Sequence, residues 1–156
     1  MAQSKLQVQR ALTVVPSDTI NIPDPSTKTL SSTTTTPTTV NKLIDSAGLF
    51  TTTNLVKVGD IIYNNTVAAV ATVSAVDSAT SLSLSADIML INQDYTIYRK
   101  STEGALFYVA VAGDLKVTTA GGEDVLFVAH PAGYTPLNVK RIWATGTAAT
   151  GIVALW

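Results

Sequence analysis

From residue 55 onward, apolar side chains tend to recur at every second position and stop at short polar turns. Val67, Ala69, Ala71, Val73 and Ala75 share one face of an extended chain, and Ser81-Leu82-Ser83-Leu84-Ser85 alternates cleanly. A period of two is the signature of half-buried strands. Gly59-Asp60, Asn64-Asn65, Asp77-Ser78-Ala79 and Asn92-Gln93-Asp94 supply the turns, and Ile88–Ile91 with Tyr95–Tyr98 reads as a closing hairpin. Several short strands at this spacing predict a small β-barrel.

A second series follows Glu103-Gly104. Leu106–Ala112 reads as a strand, Gly113-Asp114 as a tight turn, and Leu115–Thr118 as the partner strand. Gly121-Gly122-Glu123-Asp124 reads as a hairpin turn before Val125–Ala129, and His130–Pro136 as a loop. Leu137, Val139, Arg141 and Trp143 then alternate against Asn138, Lys140 and Ile142, and Ile152–Trp156 forms an apolar final strand. Repeated hairpin spacing of this kind predicts a small β-sandwich. An apolar strand ending on Trp156 predicts a docked terminus, because a Trp buries on the order of 200 Å².

The first fifty residues follow other rules. Residues 1–10 are polar apart from Leu6 and Val8 and read as an arm, and Ala11–Val15 is a β-rich run stopped by Pro16. Prolines 23 and 25 keep the next segment out of any central strand. The stretch SSTTTTPTT within Leu30–Val40 reads as a flexible linker, with an ordered edge strand as the alternative, since Thr favours strands. Val40, Leu43, Ile44 and Ala47 have the i, i+3, i+4, i+7 spacing of one short helix, capped by Thr39 or Asn41 and closed by Gly48.

Composition changes the picture of the surface. The 156 residues are 46% hydrophobic and 13% charged, about half the usual charged fraction of about 25%. There are 24 threonines, concentrated between Thr13 and Thr53. With net charge −1 and only Arg99-Lys100 and Lys140-Arg141 as adjacent basic pairs, no nucleic-acid partner is expected. No apolar run approaches the roughly 20 residues that span a bilayer, and residues 1–10 hold no apolar h-region, so neither a membrane partner nor a secretory leader is expected.

No constellation of reactive side chains stands out in the sequence. His130 is the only histidine and lies before Pro131; it reads as an exposed or turn-capping residue, without the nucleophile and acid a triad needs. With no cysteine there is no thiolate and no zinc set. Asp77, Asp87 and Asp94 lack calcium-loop spacing and read as turn and strand-end residues. Gly121-Gly122 precedes a strand rather than the helix a phosphate cradle needs. No enzymatic activity, cofactor or metal is expected.

Two segments carry a resemblance. The stretch from Gly113-Asp114-Leu115-Lys116-Val117 through Phe127, continuing through Pro131 and from Pro136 to Trp156, resembles small tailed-phage virion proteins. These include head-spike base proteins of phages and gene-transfer agents. Val14-Val15-Pro16-Ser17-Asp18-Thr19 matches their N-terminal segment. Val56–Thr66, Ala71–Ser78 and Leu84–Ile88 are similar to a β module of phage structural proteins. In shorter members of that family the two base segments are nearly adjacent, whereas here residues 29–103 intervene.

The resemblance therefore implies an all-β chain. A discontinuous β-sandwich base domain (11–28 plus 104–156) follows the arm at 1–10, and an inserted region (29–103) holds the linker, the short helix and the barrel. It implies a non-enzymatic virion protein, assembled in the bacterial host cytoplasm and carried on the capsid surface as a decoration or head-spike base protein. The implied partners are the major capsid protein, further copies in a trimer or pentamer, and a head fibre or spike protein. A tail, connector or adaptor component is the second reading, and a carbohydrate-binding module the third. Leu6, Val8, Leu12, Arg141, Trp143 and Trp156 are the candidate assembly contacts, with ordinary core or rim as the alternative for the last three.

Overall fold

The computed structural model describes residues 8–36 and 39–156. Among these described residues twelve strands form two six-stranded antiparallel sheets, and the chain divides into two compact units, 8–26 with 102–156 and 27–101. The protein is all-β.

In the first unit, β1 (Ala11–Thr13), β8 (Ala105–Val111), β9 (Gly113–Thr119), β10 (Asp124–His130), β11 (Gly133–Ile142) and β12 (Thr150–Leu155) follow the order β1-β12-β8-β11-β9-β10. β11 pairs with β8 through its first half and with β9 through its second, with register shifts between Thr135 and Val139 and between Val139 and Arg141. That change of partner lets one sheet wrap a single core as a β-sandwich. Phe107, Val109, Leu115, Val117, Val139, Ile142, Ile152 and Ala154 fill the core, and Leu12, Val125, Phe127, Leu137 and Trp156 pack against it. Residues 14–22 run across the layer, with Val14, Ser17 and Ile22 donating backbone hydrogen bonds to the carbonyls of Ile152, Ile142 and Lys140.

Gly113-Asp114 is not a hairpin turn. β8 and β9 are not hydrogen-bonded neighbours, because β11 lies between them. The glycine is needed for close approach instead: a Cβ there would lie 2.7 Å from the Ala149 nitrogen and 2.9 Å from the Ala148 carbonyl carbon. Gly122, at φ +106°, does form the β9–β10 turn, a conformation glycine adopts without strain. The expected loop at His130–Pro136 is also shorter, since β11 already begins at Gly133.

In the second unit, β2 (Lys28–Thr33), β3 (Lys42–Ile44), β4 (Ile61–Asn64), β5 (Ala69–Val76), β6 (Ser81–Leu84) and β7 (Asp94–Tyr98) follow the order β2-β7-β4-β5-β6-β3. The sheet curls until its two ends meet, where the Thr35 N–H donates to the Ile44 carbonyl at 3.2 Å. Leu43, Phe50, Ile62, Val73, Leu82, Met89, Tyr95 and Ile97 occupy the interior. The residues 88–91 expected to pair with Tyr95–Tyr98 form no strand; β7 pairs with β2 and β4 instead.

Two expectations are corrected in this unit. The threonine-rich segment is not a linker where it begins: residues 28–33 form an edge strand held by hydroxyls. Thr29 donates to the Ile97 carbonyl, Ser31 meets the Thr96 hydroxyl at 3.0 Å, Ser32 donates to Asp45 at 2.6 Å and Thr33 to Asp94. The short helix is absent. Lys42–Ile44 is extended and pairs with β6, placing Leu43 against Leu82. The helical stripe is broken because Val40 is 73% exposed while Leu43 is fully buried, and because Asn41 adopts φ +58°. A short helix-compatible spacing yields here to sheet pairing, a common tertiary override of local propensity.

Near the meeting point of the sheet ends, the buried Asp45 accepts hydrogen bonds from Tyr95 (2.7 Å), Ser32 (2.6 Å) and the Ala47 N–H (2.8 Å). Burial first, and then the bond to Asp45, push the Tyr95 hydroxyl well above its ordinary range. Tyr95→Phe removes one of Asp45's three partners inside the protein, so unfolding in urea should show a loss of about 1–2 kcal/mol.

Candidate functional site

The alternation that builds the sandwich leaves an outer face as well as a core. Ala105, Phe107 and Val109 point inward from β8, so Leu106, Tyr108 and Ala110 point outward. The register places Tyr134 of β11 and Val153 of β12 on either side of Tyr108, and Leu155 beside Leu106. Ala11 and Thr13 of β1 continue the row next to Leu155 and Val153. None of these residues carries a charge. Tyr108 and Tyr134 are 43% and 47% exposed. At one end of this face lies an open cleft of about 280 Å³, lined by Val8, Leu106, Asn138, Leu155 and Trp156 among others.

The six candidate contacts separate into two places, apart from Leu6, which lies outside the described residues. Val8 and Trp156 come together at the cleft. The Trp156 carbonyl accepts the N–H groups of Gln9 (2.6 Å) and Arg10 (3.1 Å), and the Trp156 N–H donates to the Arg10 carbonyl. The final strand is thus docked on its own unit, and the Trp156 indole packs against that unit's core. Leu12 lies on β1 opposite Ala154, partly buried against the same core.

Arg141 and Trp143 form the second place. Lys116 Nζ lies 3.8 Å above the Trp143 ring and the Arg141 guanidinium 5.5 Å from it, and the indole N–H donates to Thr118 at 2.9 Å. Arg141 also donates to Asn21 Oδ1 and the Asp18 carbonyl. Pro16-Ser17-Asp18-Thr19 is a turn in which Ser17 Oγ accepts from the Thr19 and Ile20 N–H groups. Asp18 accepts both the hydroxyl and the N–H of Thr145, which hold its carboxyl below the ordinary range, the hydroxyl bond first. Arg141 and Trp143 thus spend their polar groups within their own unit.

His130 is not an exposed turn residue. A register shift after Phe127, with Ala129 at φ +51°, turns its ring inward. The imidazole sits near Phe107 and Phe127, with ring centroids 5.8 and 5.7 Å away, and its Nε2 meets the Thr135 hydroxyl at 3.0 Å. No acidic partner orients it among the described residues, and no cluster of three metal-ligating side chains occurs there.

Tyr108 and Tyr134 were not among the sequence candidates. They are far apart along the chain and meet only through the β8–β11 pairing. Their signal was an aromatic at an outward position of two apolar strands. No family model matches the chain, nor does any curated protein or solved structure.

Proposed function

We propose that this chain is a non-enzymatic structural component of a tailed-phage virion. In this reading it decorates the capsid or forms the base of a head spike, adhering as a homo-oligomer to the major capsid protein. The family comes from the resemblance of residues 14–19 and 113–156 to such proteins. The observation that supports adhesion is the uncharged outer face of β1, β12, β8 and the first half of β11, centred on Tyr108 and Tyr134. Interface cores are depleted in charge and enriched in aromatics, and contiguous exposed apolar patches mark binding sites. Low overall charge follows, because a surface that is covered on assembly needs fewer solvating groups.

Phage particles purified by density gradient from cells carrying the gene should contain the chain in tens to hundreds of copies. The double variant Tyr108→Glu and Tyr134→Glu should fold normally, as judged by circular dichroism, and lose about tenfold or more of the particle-bound fraction. Particles devoid of the chain, or holding a few copies confined to the tail, would overturn the reading.

A further inference from the structure

An unpaired strand edge offers N–H and C=O groups to any extended chain, and folds usually blunt it by shortness, charge, proline or closure. β1, at one end of the sandwich sheet, has three residues, is preceded by Arg10 and is followed closely by Pro16. In the second unit the chain just past β2 meets the end of β3 at the Thr35–Ile44 hydrogen bond, and β2 itself is held to β7 by its hydroxyls. β10 carries such devices only at its ends, Asp124 at the start and Pro131 just after His130, and none along its middle. It runs seven residues with no charge between Asp124 and His130, and among the described residues β9 is its only strand neighbour.

Both faces of β10 are also unfinished. Val128 is 74% and Leu126 52% exposed on the outer face, while Val125 and Phe127 pack on the core but stay half-buried. The Thr119 N–H donates to the Glu123 carbonyl at 2.9 Å. By the alternation of an antiparallel ladder, Val125 and Phe127 then turn their backbone groups toward β9, while Asp124 and Leu126 turn theirs outward.

We propose that β10 is a self-association edge, pairing antiparallel with β10 of a second copy about a two-fold axis near Leu126. The occupant is another copy because the strand complements itself in this direction. Leu126 then lies beside its own counterpart, Val125 beside the second copy's Phe127, and Asp124 beside the second copy's Val128. The two Asp124 carboxyls fall at opposite ends of the paired strands, whereas parallel pairing would set like charges side by side. β1 offers only three residues to pair with seven. The register shift before His130 ends the ladder, and a two-fold contact closes after two chains instead of growing into fibres. This pairing stands whether or not the chain is carried on a virion.

Sedimentation of the full chain over a concentration series should show a monomer–dimer equilibrium. Val128→Lys, at a site open enough for a long cation, should weaken dimerisation about tenfold or more. Val58→Lys, at a similarly open position in the other unit (68% exposed), should leave it unchanged. The chain has no cysteine, so Leu126→Cys introduces a unique thiol, and two such thiols should be joined as a disulfide when a mild two-electron oxidant such as oxidised glutathione is added. The proposal is overturned by a chain that stays monomeric at every concentration. It is equally overturned by an oligomer whose mass Val128→Lys leaves unchanged and which Leu126→Cys does not cross-link.

Discussion

Truncating Phe107 to alanine should cost the sandwich unit about 3–5 kcal/mol, as deletion of a fully buried aromatic ring does when the surroundings cannot collapse. Phe107 is completely buried in β8, where its strand partners are Thr135 of β11 and Ala154 of β12. Strands on both sides fix its backbone, so the cavity persists. The ring also forms one wall around His130, and its loss leaves that imidazole less well packed. Against a total stability of 5–15 kcal/mol for an ordinary domain, such a loss moves the unit to the edge of unfolding.

The measurement is selective because both tryptophans, Trp143 and Trp156, lie in this unit. Urea unfolding followed by tryptophan fluorescence therefore reports on the sandwich and not on residues 27–101. Phe107→Leu, which refills most of the volume, should recover more than half of the loss. A change below about 1 kcal/mol for the alanine variant would mean that Phe107 is not a core residue.

The places where sequence reading and structure agree share a physical cause. β5, β6 and the β9–β10 hairpin are neighbours in sequence and in space, so alternation and turn residues alone define them. The failures occur where pairing is non-local. β2 looks like a linker because Ser and Thr carry no apolar period. What orders it is hydroxyl bonding to β7, more than sixty residues away. Val40, Leu43, Ile44 and Ala47 satisfy a helical spacing, yet Leu43 has a partner in Leu82 that only the fold supplies. The β8–β9 hairpin was expected for the same reason, because nothing local shows that β11 inserts between them.

The candidate surface was legible to a similar depth. Docking of the final strand followed from an apolar run ending in Trp156, and the structure places Val8 beside it. Arg141 and Trp143 alternate with Leu137 and Val139 in the sequence, where assembly contact and ordinary core or rim are both open to them. Their polar groups prove to be engaged by Asp18, Asn21 and Thr118 of their own unit. The Tyr108–Tyr134 pair depends on strand register, which a single sequence does not disclose. The high threonine content likewise changes meaning: many of these hydroxyls cross-link strands rather than simply solvating a surface.

Arg99→Met should be the most damaging polar substitution in the second unit, at about 3 kcal/mol, because it strands a buried acid. Asp60 is 3% exposed. Its Oδ2 accepts from Arg99 Nη1 and from the Lys57 N–H, at 2.7 and 2.9 Å. The same guanidinium donates to the carbonyls of Leu55 and Asn54, at 2.7 and 3.0 Å, so one planar fork ties the residue just after β7 to the irregular segment before β4. Arg99→Lys should rescue little, since an ammonium is a point charge without the fork that reaches all three acceptors. Asp60→Asn alone should cost less than Arg99→Met, because it removes the charge that the arginine neutralises. The double variant should then be more stable than the sum of the two single losses implies, by about 1–2 kcal/mol of coupling. Unfolding followed by hydrogen exchange at the amides of β4 and β7 reads this directly. Strict additivity of the two variants would show that Arg99 and Asp60 do not act as a pair.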